Sequence, residues 1–234
     1  MRVDLEKVRI VRSTLASWGP ANFRPFPWRQ DRIGYSVYVA EVLLQQTFAA
    51  KVVSVYNAFV LRYPNYERLA AADIRTLKRL IKPLGLPFRA EILKKTARRV
   101  TSEFNGETPK DRGSLVSLHG VGDYIADAVL CYAFGEKVIP IDTNVNRVIG
   151  RLFGITYPHC NSTDKAEVKA VCSALAKRVR RPASLNYAIL DFAAGVCTFY
   201  KPACLSCPLR MSCCYYLKSQ SAENTNVEPN VQPL

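Results

Sequence analysis

Apolar positions along the chain recur with the period of a helix almost everywhere. In "AAKVVSVYNAFVLRYP" the residues Val52, Val53, Tyr56, Phe59 and Val60 share one face, at the spacing an amphipathic helix presents to a core. "TNVNRVIGRLFG" repeats the pattern with Val145, Val148, Ile149 and Leu152. No window alternates apolar and polar residues for long, and no Asn-Gly hairpin signal separates two β-rich runs. The pattern predicts an all-α protein of about ten short helices joined by short loops. The final stretch, "SQSAENTNVEPNVQPL", has no repeating apolar face and is rich in Asn and Pro, which predicts disorder for residues 218–234.

At 234 residues and 49% hydrophobic, the chain has apolar surface for one ordinary domain or two small ones sharing a core. The opening "MRVDLEKVRIVRS" lacks the apolar heart of a signal peptide, and no uninterrupted apolar run is of membrane-spanning length. A cytoplasmic protein is expected, without a membrane partner. Lys and Arg outnumber Asp and Glu by 33 to 19, with the surplus spread along most of the chain. A folded basic surface favours a polyanion, most often nucleic acid, although a merely basic soluble protein has the same balance.

Of the eight cysteines, Cys131, Cys160 and Cys172 are scattered and read as structural. Cys197, Cys204, Cys207 and Cys213 instead form C-x6-C-x2-C-x5-C. Four thiolates in one loop can converge on a [4Fe-4S] cluster or on tetrahedral zinc. Zinc more often uses paired CxxC knuckles, and only one is present here, which favours iron and sulfur. Free loop cysteines are the bland alternative, and Cys214 reads as a bystander. A cluster of this kind can hold together a lobe short of core, and Lys201 and Arg210 in the same loop can face phosphate.

In "LHGVGDYIADAVLCYAFG" a Gly-Val-Gly turn runs straight into an apolar helix. Gly120 and Gly122 permit positive φ and leave backbone N–H groups uncovered at a helix N-terminus, where phosphate binds without any side chain. Most Gly-x-Gly turns are only turns. About twenty residues on, "IPIDTNVNRV" sets Asp142 before another amphipathic helix, as an N-cap. A carboxylate fixed there stays ionised with a defined direction, suited to stabilise a developing cation or activate water.

These residues together resemble the endonuclease III superfamily of DNA glycosylases. Leu118 to Gly154 is similar to its helix-hairpin-helix plus catalytic aspartate signature, and the cysteine spacing is similar to its iron–sulfur motif. The likeness extends upstream through "PFPWRQDRIGYSVYVAEVLLQQT" and "LGLPFRAEILKKTA", covering about Pro25 to Tyr216. The resemblance implies two helical lobes with double-stranded DNA bound across the cleft. Residues 27–136 would form a six-helix barrel with the helix-hairpin-helix, and residues 1–26 with 137–217 an iron–sulfur cluster lobe. It implies N-glycosidic cleavage of a flipped nucleotide by a monomer, with Asp142 in the place of the essential aspartate. Members that also cut the strand carry a lysine where this chain has Tyr124, and a phenol cannot form the required Schiff base. A monofunctional glycosylase is therefore expected.

Two branches stay open. Tyr124 and "GLPFRAEILKKTA" resemble the mismatch glycosylases that remove thymine or uracil opposite guanine, whereas "AEVLLQQT" is similar to the MutY adenine branch, whose glutamate matching Glu41 protonates adenine. Glutamate there is shared by both branches. The short stretch after the cluster, tyrosine at 124 and "GLPF" in place of the adenine branch's "GLGYY" favour thymine or uracil. A helix-surface role is the bland reading of Glu41. Expected DNA contacts are Gln45 and Gln46 in the space left by the flipped base, the wedge Leu86, Pro87 and Phe88, and the hairpin residues His119, Gly120, Val121 and Gly122. Core packing is the alternative for Leu86 and Phe88, and Lys177, Arg178, Arg180 and Arg181 can track backbone or simply be solvated. Two departures bear on the hairpin. His119 replaces a usual proline, and Asp123 puts a negative charge where a basic residue is usual, so it must either turn away to cap the helix or weaken DNA binding. A helix-hairpin-helix DNA-binding module without catalysis is the rival outside the enzymes.

Overall fold

The structure, a computed structural model, describes residues 3–155 and 162–223. It is all-helical there: α1 (Leu5–Trp18), α2 (Gly34–Leu44), α3 (Ala49–Arg62), α4 (Tyr66–Ala70), α5 (Ile74–Ile81), α6 (Arg89–Glu103), α7 (Arg112–Ser117), α8 (Asp123–Tyr132), α9 (Thr143–Phe153), α10 (Ser162–Ala176), α11 (Pro182–Gly195) and α12 (Cys214–Glu223). Five of these helices begin the same way. Asp4, Asn65, Asp73, Asp111 and Asp142 each accept a hydrogen bond from the backbone N–H three residues on, at 2.7–2.9 Å, which satisfies a donor the helix leaves open.

Residues Pro25–Pro140 form one compact unit. Its centre is α2, in which Gly34–Leu43 are all buried, so the helix has no polar face and packs against both α3 and α8. Aromatic edges tighten the same core, Tyr35 against Tyr66 at 4.8 Å and Trp28 against Tyr56 at 5.5 Å between ring centroids. The short α4 is laid along α6.

Met1–Arg24 and Ile141–Leu234 form the second unit. Here α1 packs on α10 and α11, with Trp18 edge-on to Phe192 at 5.4 Å. Beyond α1 the chain is fastened by Arg24, whose Nε donates to the buried Asp191 carboxylate at 2.5 Å while its backbone N–H donates to the other oxygen at 3.0 Å. Helix α12 carries Lys218–Glu223, which corrects the expected disorder from residue 218. It packs against α9, and Ser219 and Ser221 donate back to the Tyr216 and Leu217 carbonyls, so polar side chains are spent inside the helix. Cys160 and residues 224–234 of the expected tail lie outside the described residues. Among the described residues no helix is long and apolar enough to cross a membrane.

Candidate active site and metal centre

Asp142 is the N-cap of α9, with extended backbone at φ −98° and ψ −175°. Its Oδ1 accepts from Val145 N–H at 2.7 Å and its Oδ2 from Asn144 Nδ2 at 2.8 Å. Both oxygens are therefore held, one by the helix and one by a side chain two residues on, and the half-buried carboxylate has a fixed orientation. Asn144 escaped the sequence reading; the Asp-x-Asn spacing was its signal.

The hairpin is α7, the turn Leu118–Gly122 and α8. Gly120 has φ +73°, and a Cβ there would lie 2.5 Å from Ile92 Cγ2, so glycine is required on both counts. Gly122 corrects the sequence reading. It is the N-cap of α8 at φ −91° and ψ −177°, extended backbone open to any residue, and a Cβ added to it meets nothing within 4 Å. What glycine leaves at 122 is open space beside the first-turn N–H groups of α8. Val121 is buried and spends its N–H on the Leu118 carbonyl at 3.2 Å, whereas His119 is exposed and its carbonyl accepts from buried Thr96 at 2.8 Å. Asp123 does not cap the helix; Arg112 of α7 donates to it at 2.6 Å and to Asp127 at 3.1 Å, offsetting the charge. Tyr124 is the second residue of α8 and half-buried.

Glu41 is buried in the middle of α2, at 5% exposure, which overturns the surface reading. Burial first, and then the nearby carboxyl groups of Asp127 and Glu41, push the Cys131 thiol of α8 far above its ordinary range. At the end of α2, Gln45 is half-buried and Gln46 exposed in the left-handed region, at φ +52°. Leu86 is half-buried, while Pro87 and Phe88 stand exposed before α6, so core packing does not account for Phe88. Arg89, which nothing in the sequence singles out, is fully buried.

The four cysteines line one cavity, together with Arg151 and Phe192. Burial and then the neighbouring thiols push Cys204 and Cys207 upward, and burial does the same to Cys213. Helix α9 holds the loop. Arg147 donates to the Cys197 and Ala193 carbonyls, both at 3.0 Å, and Arg151 to the Thr198 and Phe199 carbonyls at 2.6 and 2.7 Å. Among the described residues no group of three His, Cys, Asp or Glu is placed to hold a metal ion. Four soft thiols ringing one largely apolar cavity fit an inorganic core bound through sulfur.

Residues 39–178 match the HhH-GPD superfamily base excision DNA repair protein family. A thymine/uracil-DNA glycosylase of Pyrobaculum aerophilum is 38% identical, the alignment covering 84% of this chain and 86% of that protein. The adenine DNA glycosylase of Homo sapiens is 32% identical over 90% of this chain but only 40% of its own length. Among solved structures, a thermostable thymine-DNA glycosylase superposes with a TM-score of 0.85 at 34% identity, over 91% of this chain and 98% of that one. The chain belongs to the HhH-GPD superfamily of base excision DNA repair proteins.

Proposed function

We propose that the protein is a monofunctional glycosylase that removes thymine or uracil opposite guanine from double-stranded DNA, acting as a monomer. The observation that carries the chemistry is the Asp142 carboxylate, both oxygens of which are fixed in direction. After the nucleotide is flipped out, the C1′–N bond breaks and its electron pair leaves with the base. Asp142 stabilises the oxocarbenium-like sugar, the oxygen of a water bonds to C1′, and the water's protons are shared between base and solvent. Tyr124 offers a phenol rather than an amine, so no enzyme–sugar imine forms. Glu41 is the buried carboxyl group of its unit available to hold a proton for the leaving base. Phosphate is received by the hairpin turn of His119, Gly120, Val121 and Gly122, and the DNA stack by Gln45, Gln46, Leu86, Pro87 and Phe88.

Cys197, Cys204, Cys207 and Cys213 would hold a [4Fe-4S] cluster. Four thiols of one loop with a single CxxC pair, all lining one cavity, suit a core in which each sulfur binds its own iron, whereas zinc more often uses paired CxxC knuckles. When bound, such a cluster would cross-link the loop rather than take part in a step of the reaction.

The base assignment rests on the likeness to thymine/uracil-DNA glycosylases, and "AEVLLQQT" favours adenine opposite 8-oxoguanine as the second reading. End-labelled duplexes carrying G:T, G:U, 8-oxoguanine:A, G:A or an oxidised pyrimidine, treated with and without alkali, decide between them. The expected result is alkali-dependent cleavage on the T or U strand. Cleavage on the A strand selects the second reading, cleavage without alkali reveals a lyase nucleophile, and binding without excision leaves only a DNA-binding module.

A further inference from the structure

Arg89 is the first residue of α6 and has no exposed surface. Its Nη1 donates to the Leu43 carbonyl at 2.7 Å, and its Nη2 to the Gln45 carbonyl and to Thr47 Oγ1, the latter at 2.7 Å. All three acceptors belong to the last turn of α2 and the loop beyond it, where a helix leaves carbonyls without partners and its dipole favours a cation. They straddle Gln46. That residue is one of two non-glycine residues with positive φ among the described residues, and it is exposed, as is Phe48 at 81%. Immediately before Arg89 in the chain stand the exposed Pro87 and Phe88. One cation thus lies under both loops.

A buried arginine is a costly way to stabilise a helix end, and its Nε finds no acceptor in the structure. Strained exposed residues held by their surroundings cluster where a protein grips a ligand. We propose that Arg89 is a positioning residue that braces the Gln46 loop against the Leu86–Phe88 loop, so that both enter the DNA stack as one rigid pair when the target base is displaced. The inference rests on the glycosylase reading above. Arg89 itself touches no DNA; it sets where Gln46 and Phe88 stand.

The test uses a G:T duplex with 2-aminopurine beside the thymine, whose fluorescence rises when the stack opens. At equal occupancy, set by anisotropy, Arg89→Lys keeps the charge but cannot span three acceptors, and its rise is about fivefold smaller than that of the wild type. Single-turnover excision falls about a hundredfold, as expected of ångström-scale misplacement. Affinity for undamaged duplex stays within about twofold, because phosphate contacts are untouched. Thr47→Val removes one acceptor from the same set and lowers the rise about twofold, and it carries the test if Arg89→Lys does not fold. An undiminished rise in the folded variants overturns the brace, and so does an equal loss of undamaged-duplex affinity, which marks a purely structural role. A wild type that opens the stack but excises no base sinks the glycosylase reading alone.

Discussion

Capping does not distinguish Asp142, since Asp4, Asn65, Asp73 and Asp111 cap their helices with the same bond. Its second oxygen is also held, by Asn144, so the carboxylate is fixed in direction more firmly than a cap requires. The two roles separate on substitution. Asp142→Asn preserves capping, because Asn and Asp cap about equally, so the melting temperature should move by less than about 2 °C. It removes the negative charge facing the sugar in the proposed reaction, and excision should fall about a thousandfold with DNA affinity nearly unchanged. Thermal melting, single-turnover excision and anisotropy on one preparation check this, and retained excision would end the proposed role. At this scale the site was legible where chemistry and spacing coincide: an Asp before an apolar helix, four cysteines in one loop. Arg89 was not legible, because its acceptors lie more than forty positions away in sequence and a buried arginine is written with the same letter as a solvated one.

The hairpin glycines differ in kind, and each makes its own prediction. Alanine at Gly120 meets left-handed backbone and Ile92, so Gly120→Ala should cost about 1–2 kcal/mol and lower the melting temperature by about 5 °C. Gly122→Ala meets neither strain nor a neighbour and should melt within about 2 °C of the wild type. Its methyl group would stand in the open space beside the first turn of α8, where the proposed phosphate comes, and affinity should fall about tenfold. Melting curves beside anisotropy titrations distinguish the pair; a Gly122→Ala variant that binds like the wild type would remove this turn from the phosphate contacts. Among elements, long amphipathic helices such as α3 and α9 were legible from period alone. The five-residue α4 and six-residue α7 were not, being too short to show a period, and they carry the described helices past the expected ten. The pairing of Arg112 with Asp123 also escaped, because eleven residues of chain say nothing about which carboxylate an arginine will face.

For the whole molecule, the excess of 33 basic over 19 acidic residues explains attraction to DNA but not how the cysteine segment keeps its shape. Between Cys197 and Cys213 the only described regular element is the short 3-10 turn Arg210–Ser212. Phe199, Tyr200, Leu205 and Met211 are exposed, so the segment buries little apolar surface of its own. What holds it is Arg147 and Arg151 from α9, gripping carbonyls near its start, and Leu209 and Cys213, buried near its end. A stretch so poor in core is one that a sulfur-bound inorganic centre would cross-link. Cys204→Ser should therefore bleach the brown absorbance expected of the cluster and lower the melting temperature by about 10 °C, a loss of several kcal/mol in a chain of this size. Because Asp142 caps α9 and α9 carries both arginines, slackening of the segment should reach the carboxylate, and excision should fall along with stability. Absorbance, bound-metal analysis and melting of the same samples check the argument. A colourless wild type containing zinc would keep the cross-link and replace the iron, whereas a metal-free protein melting like the variant would show the four cysteines to be free thiols.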